Sequence, residues 1–211
     1  MSESQKSHNR REESGFYKKY LSGSGLDIGS TGYTGEWNDV GSSPIPGAIG
    51  VDLNYPGYDG VTLPFEDESQ DFVYSSHMLE HVPNKNVSDV LLDQFRVLKV
   101  GGFMVIVVPH KFLYERRMSL PSIWNQDHQR MYTPGWLMAE IETSLMPNSY
   151  RLRLLADNDE GYDYEKPLHE HPCGEYQIEC VLEKIKLTDQ SKEIFKPGFC
   201  YAGYFFTPTR E

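Results

Sequence analysis

The run Phe-Met-Val-Ile-Val-Val at 103–108 constrains the fold of this chain more than any other stretch. As a strand it has no polar side to offer water, so both of its faces must be covered. That is the condition of a strand inside a parallel sheet layered between helices. Gly101 and Gly102 separate it from what precedes, and Pro109, which has no amide hydrogen, cannot continue its ladder.

The flanking segments fit an α/β chain. Strand-like runs occupy 24–28, 48–53 and 72–75, with a turn-rich stretch at 55–60 and a short segment at 61–65 between the last two. Over 86–98 the apolar residues Val87, Val90, Leu91, Phe95 and Leu98 recur at three- and four-residue spacing, which predicts an amphipathic helix. A second helix is expected over 133–144 with Pro134 in its first turn, and two more strands over 151–156 and 176–184. Residues 1–14 are polar and Ser-rich without apolar periodicity, so a mobile arm is expected there, turning helical near 15–21. The division that follows is an N-terminal arm or helix over 1–22 and one domain over 23–211. Insertions on the acceptor side are expected around 110–135 and 157–175.

Alternating strands and helices imply a mostly parallel sheet, and such sheets bind ligands beyond the carboxyl ends of their strands. The first such end carries Asp27, Gly29, Ser30 and Gly32, where glycines permit a sharp turn and close approach of a ligand. The second carries Asp52, 23 residues after Gly29, where a carboxylate can accept the two hydroxyls of a ribose. These two features leave a dehydrogenase and a methyltransferase level.

A third stretch separates them. Leu63-Pro64-Phe65, Asp71-Phe72-Val73-Tyr74-Ser75-Ser76-His77-Met78-Leu79-Glu80-His81-Val82 and, further on, Arg96-Val97-Leu98-Lys99-Val100-Gly101-Gly102-Phe103 follow one another in an order that closely resembles the class I S-adenosylmethionine-dependent methyltransferases. The resemblance, to the type 11 group, spans about residues 24–115. Val108-Pro109-His110, Leu113-Tyr114-Glu115 and Asn125-Gln126-Asp127-His128 are similar to the subset associated with glycan and capsule biosynthesis. It implies a Rossmann-like, doubly wound, mostly parallel seven-stranded sheet with helices on both faces, and S-adenosylmethionine as cofactor. It assigns Asp27 and Gly29 to the methionine end, Asp52 to the ribose, and Leu53, Asn54 and Asp59 to the adenine, with Ser30 and Gly32 as further cofactor-binding residues of the glycine loop. Ser76 and His77 fall below the reacting sulfur. The chain departs from the family pattern at Thr31 and Tyr33, where glycines are usual; Gly32 and Gly35 stand nearby.

Methyl transfer to a hydroxyl asks for alignment and a base. His77 is the first candidate, followed by His110, Asp127 and His128, while Glu80 reads as a helix-surface or supporting acid and His81 as a helix cap or packing residue. No metal is expected. The run His169-Glu170-His171-Pro172-Cys173 reads as a solvated loop, because sequence neighbours rarely all reach one ion. Cys173, Cys180 and Cys200 read as reduced thiols.

With 31 acidic against 20 basic residues the formal charge is −11, which disfavours nucleic acid and anionic membranes as partners. The N-terminus lacks the apolar core of a signal peptide, so a cytoplasmic location is expected. The preferred reading is methylation of oxygen, or less readily nitrogen, on a small polar acceptor such as a sugar, a sugar nucleotide or a glycan end. A catalytically silent protein of the same fold, binding cofactor or serving in an assembly, is the alternative. A nicotinamide oxidoreductase ranks third, for want of a Tyr-x-x-x-Lys set. The oligomeric state is open.

Overall fold

The structure, a computed structural model, describes residues 3–30 and 40–189. Six strands form one sheet: β1 (Gly25–Ile28), β2 (Ala48–Val51), β3 (Gln70–Ser76), β4 (Leu98–Pro109), β5 (Tyr150–Asn158) and β6 (Gln177–Lys184). Their spatial order is β2-β1-β3-β4-β6-β5. The first four pair in parallel, and β6 runs antiparallel to both β4 and β5. The sheet is therefore mostly parallel, as expected.

Alternation along the strands splits the core in two. On one face Leu26, Ile28, Val73, Met104 and Ile106 pack against α3 (Val87–Val97) and α4 (Pro134–Ser144). On the other, Phe72, Tyr74, Val105, Val107 and Val181 meet Phe16, Tyr20 and Leu21 from α2 (Phe16–Tyr20) and the turn after it. Val87, Val90 and Leu91, expected as the apolar stripe of α3, are all buried. Thr133 caps α4 by accepting the Trp136 amide, and Pro134 sits in the first turn.

The described residues hold six strands, and the expected count of seven is not met among them: in the 61–65 segment the Val61 and Thr62 amides turn to Asp59, the Leu63 amide donates to Asp93, and Arg96 donates to the Leu63 and Phe65 carbonyls. No neighbouring strand is needed to satisfy that backbone. Nor is 3–13 a mobile arm; it is α1 (Glu3–Glu13), tied to the sheet by polar groups rather than by an apolar stripe. Arg11 donates to Glu179 at 2.7 Å and to the Tyr74 hydroxyl at 2.9 Å, and Arg10 reaches Glu175 and Glu179. No helix among the described residues is long and apolar enough to cross a membrane.

Candidate active site

The carboxyl ends of β1, β2 and β3 open into a cleft of about 610 Å³, within the range of small-molecule sites. Gly29, at the end of β1, has φ +81° and donates its amide to Val51. A Cβ there would stand 2.9 Å from that of Met78, so only glycine leaves room between the first and third strand ends. Asp52 follows β2 directly, and its carboxylate accepts the Leu53 amide at 2.6 Å. Leu53 exposes 63% of its surface beside it, an apolar wall that reaches over Gly60. Asp59 accepts the amides of Val61 and Thr62. The Thr62 and Val61 amides hold its carboxyl below the usual range.

His77 closes the third side. It adopts φ +52°, a left-handed conformation that costs a non-glycine residue roughly 1–2 kcal/mol, and its amide donates to Val107. Its Nε2 lies 3.2 Å from Gln177 Oε1, and the Gln177 amide group in turn donates to Ser7 of α1. A helix of the opposite layer is thereby linked to the cleft histidine.

Of the residues expected to hold cofactor, Gly29, Asp52, Leu53, Asp59 and His77 line the cleft. Asp27, Ser30, Asn54 and Ser76 do not appear in that lining. Asp27 is buried and accepts the Ser43 hydroxyl at 2.7 Å, and Ser43 also accepts the Ile45 amide, so this carboxyl organises the loop before β2. Burial pushes its pKa up to about 6, with the Ser43 and Ser30 hydroxyls opposing the rise. Ser30 Oγ also lies 3.3 Å from the Ser42 carbonyl, an alternative acceptor for its one hydrogen. Gly32 lies outside the described residues. Tyr58, Met78, His81 and Val82 also line the cleft; the short turn after β3 brings in the last three, and a 3-10 turn is too short to leave a periodic signal.

The acceptor-side candidates divide. Asp127 stands exposed on the cleft. His110 is buried and caps the single π-helical turn Lys111–Glu115, its Nδ1 accepting the Phe112 and Leu113 amides while Nε2 faces Asp157 at 3.5 Å. Burial lowers its pKa against the pull of Asp157. His128 is 5% exposed, with Nδ1 2.5 Å from Glu115 and its ring against that of His81. Behind it Tyr114, Trp124, His171 and Tyr176 stack into an aromatic wall that joins the two expected insertions. Glu80 is not a surface acid: it is fully buried below His77 and His81, because Gln129 and Arg130 fold back and donate their amides to its carbonyl.

The methyltransferase domain family matches residues 44–106, from the loop before β2 to the middle of β4. A solved S-adenosylmethionine-dependent methyltransferase from Archaeoglobus fulgidus aligns with a TM-score of 0.54 at 16% identity, over 87% of this chain and 95% of that one. The chain has the S-adenosylmethionine-dependent methyltransferase fold. A structure from work on the conversion of a disulfide bond into a thioacetal group during echinomycin biosynthesis aligns with a TM-score of 0.52 at 11% identity, over 89% of this chain and 84% of that one. No curated protein sequence matches. The chain carries a methyltransferase domain, and S-adenosylmethionine is the methyl donor that belongs with it.

The residues present fit that methyl donor. Asp52, Asp59 and Asp127 line the cleft, and among the described residues its lining holds no Lys or Arg. Such a field attracts a sulfonium and repels a pyrophosphate. Leu53, Val61, Met78 and Val82 offer apolar cover for a purine.

Proposed function

We propose that the protein transfers a methyl group from S-adenosylmethionine to a hydroxyl oxygen of a small polar acceptor, of the sugar or glycan class, in the cytoplasm. The observation that carries this reading is His77, held in a left-handed conformation at the mouth of an acidic cleft. When bound, the cofactor supplies an electrophilic methyl group. Asp52 would accept its ribose hydroxyls, Gly29 would leave room for the chain of the nucleoside to pass, and Leu53 would cover the base.

His77 is fixed from behind by Gln177, whose oxygen accepts a hydrogen bond from Nε2–H; its Nδ1, 3.5 Å from the Glu80 carboxylate at the cleft floor, is then the nitrogen left to receive the proton of an acceptor hydroxyl bound above it. Asp127, opposite, would bond a further hydroxyl of a polyol. The aromatic wall of Tyr114, Trp124 and Tyr176 stiffens the loops behind Asp127.

The test is methyl transfer from labelled S-adenosylmethionine to a panel of nucleotide sugars, free sugars and amines, with parent and His77→Asn. O-methylated sugar is the expected product, with turnover falling about 10²–10⁴-fold in the variant. Methylated amines alone would refute the choice of acceptor atom. Cofactor binding without transfer to any member of the panel would favour the catalytically silent alternative.

A further inference from the structure

The sequence led us to expect no metal, but the fold converges ligand atoms that the sequence keeps apart. We propose that Glu80, His81 and His128 bind a divalent transition-metal ion of the Zn²⁺ or Co²⁺ kind at the acceptor end of the cleft. Among the described residues this is the one group of three or more such side chains whose ligand atoms all lie within 4.8 Å of one another. His81 Nε2 is 3.9 Å and His128 Nε2 4.0 Å from Glu80 Oε1. Tetrahedral ligands about 2.1 Å from an ion stand about 3.4 Å apart, so each histidine closes on the carboxylate by roughly half an ångström, and the two imidazoles, within 4.8 Å of one another, close by at most about 1.4 Å.

The chemistry of the cluster asks for a cation. Glu80 is fully buried, and neither of its oxygens accepts a hydrogen bond within the described residues. His128 hydrogen-bonds the Glu115 carboxylate through Nδ1, so that nitrogen carries the proton and Nε2 turns a lone pair toward Glu80. His77 Nε2 faces the Gln177 oxygen, which directs its Nδ1, 3.5 Å away, toward the same carboxylate. Acceptors thus face acceptors. The Glu115–His128 bond is the carboxylate–histidine pairing that orients a metal-bound imidazole and fixes its tautomer. Two imidazoles and a carboxylate with further positions open make a donor set for a borderline ion, whereas Mg²⁺ favours oxygen ligands.

His77 and His81 line the cleft, so the open positions face the acceptor. This role, though not ion binding itself, rests on the methyltransferase reading. The ion would take the acceptor through a hydroxyl oxygen and lower its pKa. As the C–O bond forms, the hydroxyl proton passes to His77, the methyl–sulfur bond breaks, and its electron pair stays on the resulting thioether.

The test uses chelator-stripped full-length protein titrated with Co²⁺ by absorbance and with Zn²⁺ by calorimetry. One ion per chain is expected. Glu80→Gln and His81→Ala should weaken binding at least about 100-fold, and Glu115→Gln about 10–100-fold. His169→Ala, on an exposed loop outside the cluster, should change nothing. His81 is half-exposed, so His81→Ala keeps the test sound should Glu80→Gln misfold. No stoichiometric uptake by the parent, or parental affinity in His81→Ala, would overturn the site. A parent that binds Zn²⁺ but not S-adenosylmethionine would refute the methyltransferase reading alone. The reverse would refute the metal site alone.

Discussion

Arg11 Nε lies 2.7 Å from Glu179 Oε1, with both side chains almost wholly buried, and this pair joins the N-terminal helix to the last strand of the sheet. Arg10 bonds the same carboxylate. Burial alone would raise the pKa of Glu179, but the two guanidiniums reverse that and hold it below its ordinary value.

Removing one partner of such a pair leaves a buried charge short of compensation. Arg11→Met should destabilise the protein by about 3 kcal/mol, towards the low end for a broken buried pair because Arg10 remains. For a chain of this length that is about 6–12 °C in melting temperature. Thermal unfolding by circular dichroism checks it. A melting temperature within about 2 °C of the parent would show that α1 is not anchored by this pair. Because Glu179 is depressed, its share of the stability is present above the ordinary glutamate range and is lost as pH falls through the lower folded value.

Asp27 gives the opposite sign. Its folded pKa, about 6, lies above its ordinary value near 4, so the folded state binds the proton more tightly and stability is lost as pH rises between the two. The difference amounts to roughly 3 kcal/mol at neutral pH. Asp27→Asn keeps an acceptor for Ser43 and abolishes the ionisation. It should melt higher than the parent at pH 7.5 and close to it at pH 4. Equal melting differences at both pH values would show that Asp27 ionises freely in the fold.

Much of this was legible in the chain. The apolar run 103–108 forms the middle of β4, and the three- and four-residue spacing at Val87, Val90 and Leu91 became the buried face of α3. The strand ends bearing Gly29, Asp52 and His77 meet at one cleft. Pattern could not find α1, because Ser7, Arg10 and Arg11 hold it through hydrogen bonds to Gln177, Glu175 and Glu179, some 165–170 residues away. The burial of Glu80 was hidden for a similar reason: Gln129 and Arg130 cover it, and that contact has no local period. The 61–65 segment leaves no local pattern either, because Asp93 and Arg96 of α3 bond the Leu63 amide and the Leu63 and Phe65 carbonyls.

Gln177 sits behind His77 rather than in the cleft, so on the proposed reading it is a positioning residue. Gln177→Leu should lower kcat about tenfold or more, because a hydrogen-bonded orientation is lost, while affinity for S-adenosylmethionine stays at the parental value. Gln177→Glu, which still accepts from Nε2, should restore part of the rate. Equal loss of kcat and of cofactor affinity in Gln177→Leu, with no recovery in Gln177→Glu, would assign the residue a purely structural role.

The account stands on the cleft at Gly29, Asp52 and His77 being the site of S-adenosylmethionine, and calorimetric binding of that cofactor tests it most directly. The parent should bind S-adenosylmethionine and not a nicotinamide dinucleotide, since the acidic lining repels a pyrophosphate. Asp52→Ala, confirmed as folded, should lose about 1.5–3 kcal/mol of charge-assisted hydrogen bonding, or about 10- to 150-fold in Kd. Parental affinity in folded Asp52→Ala, or preference of the parent for the dinucleotide, would contradict the account.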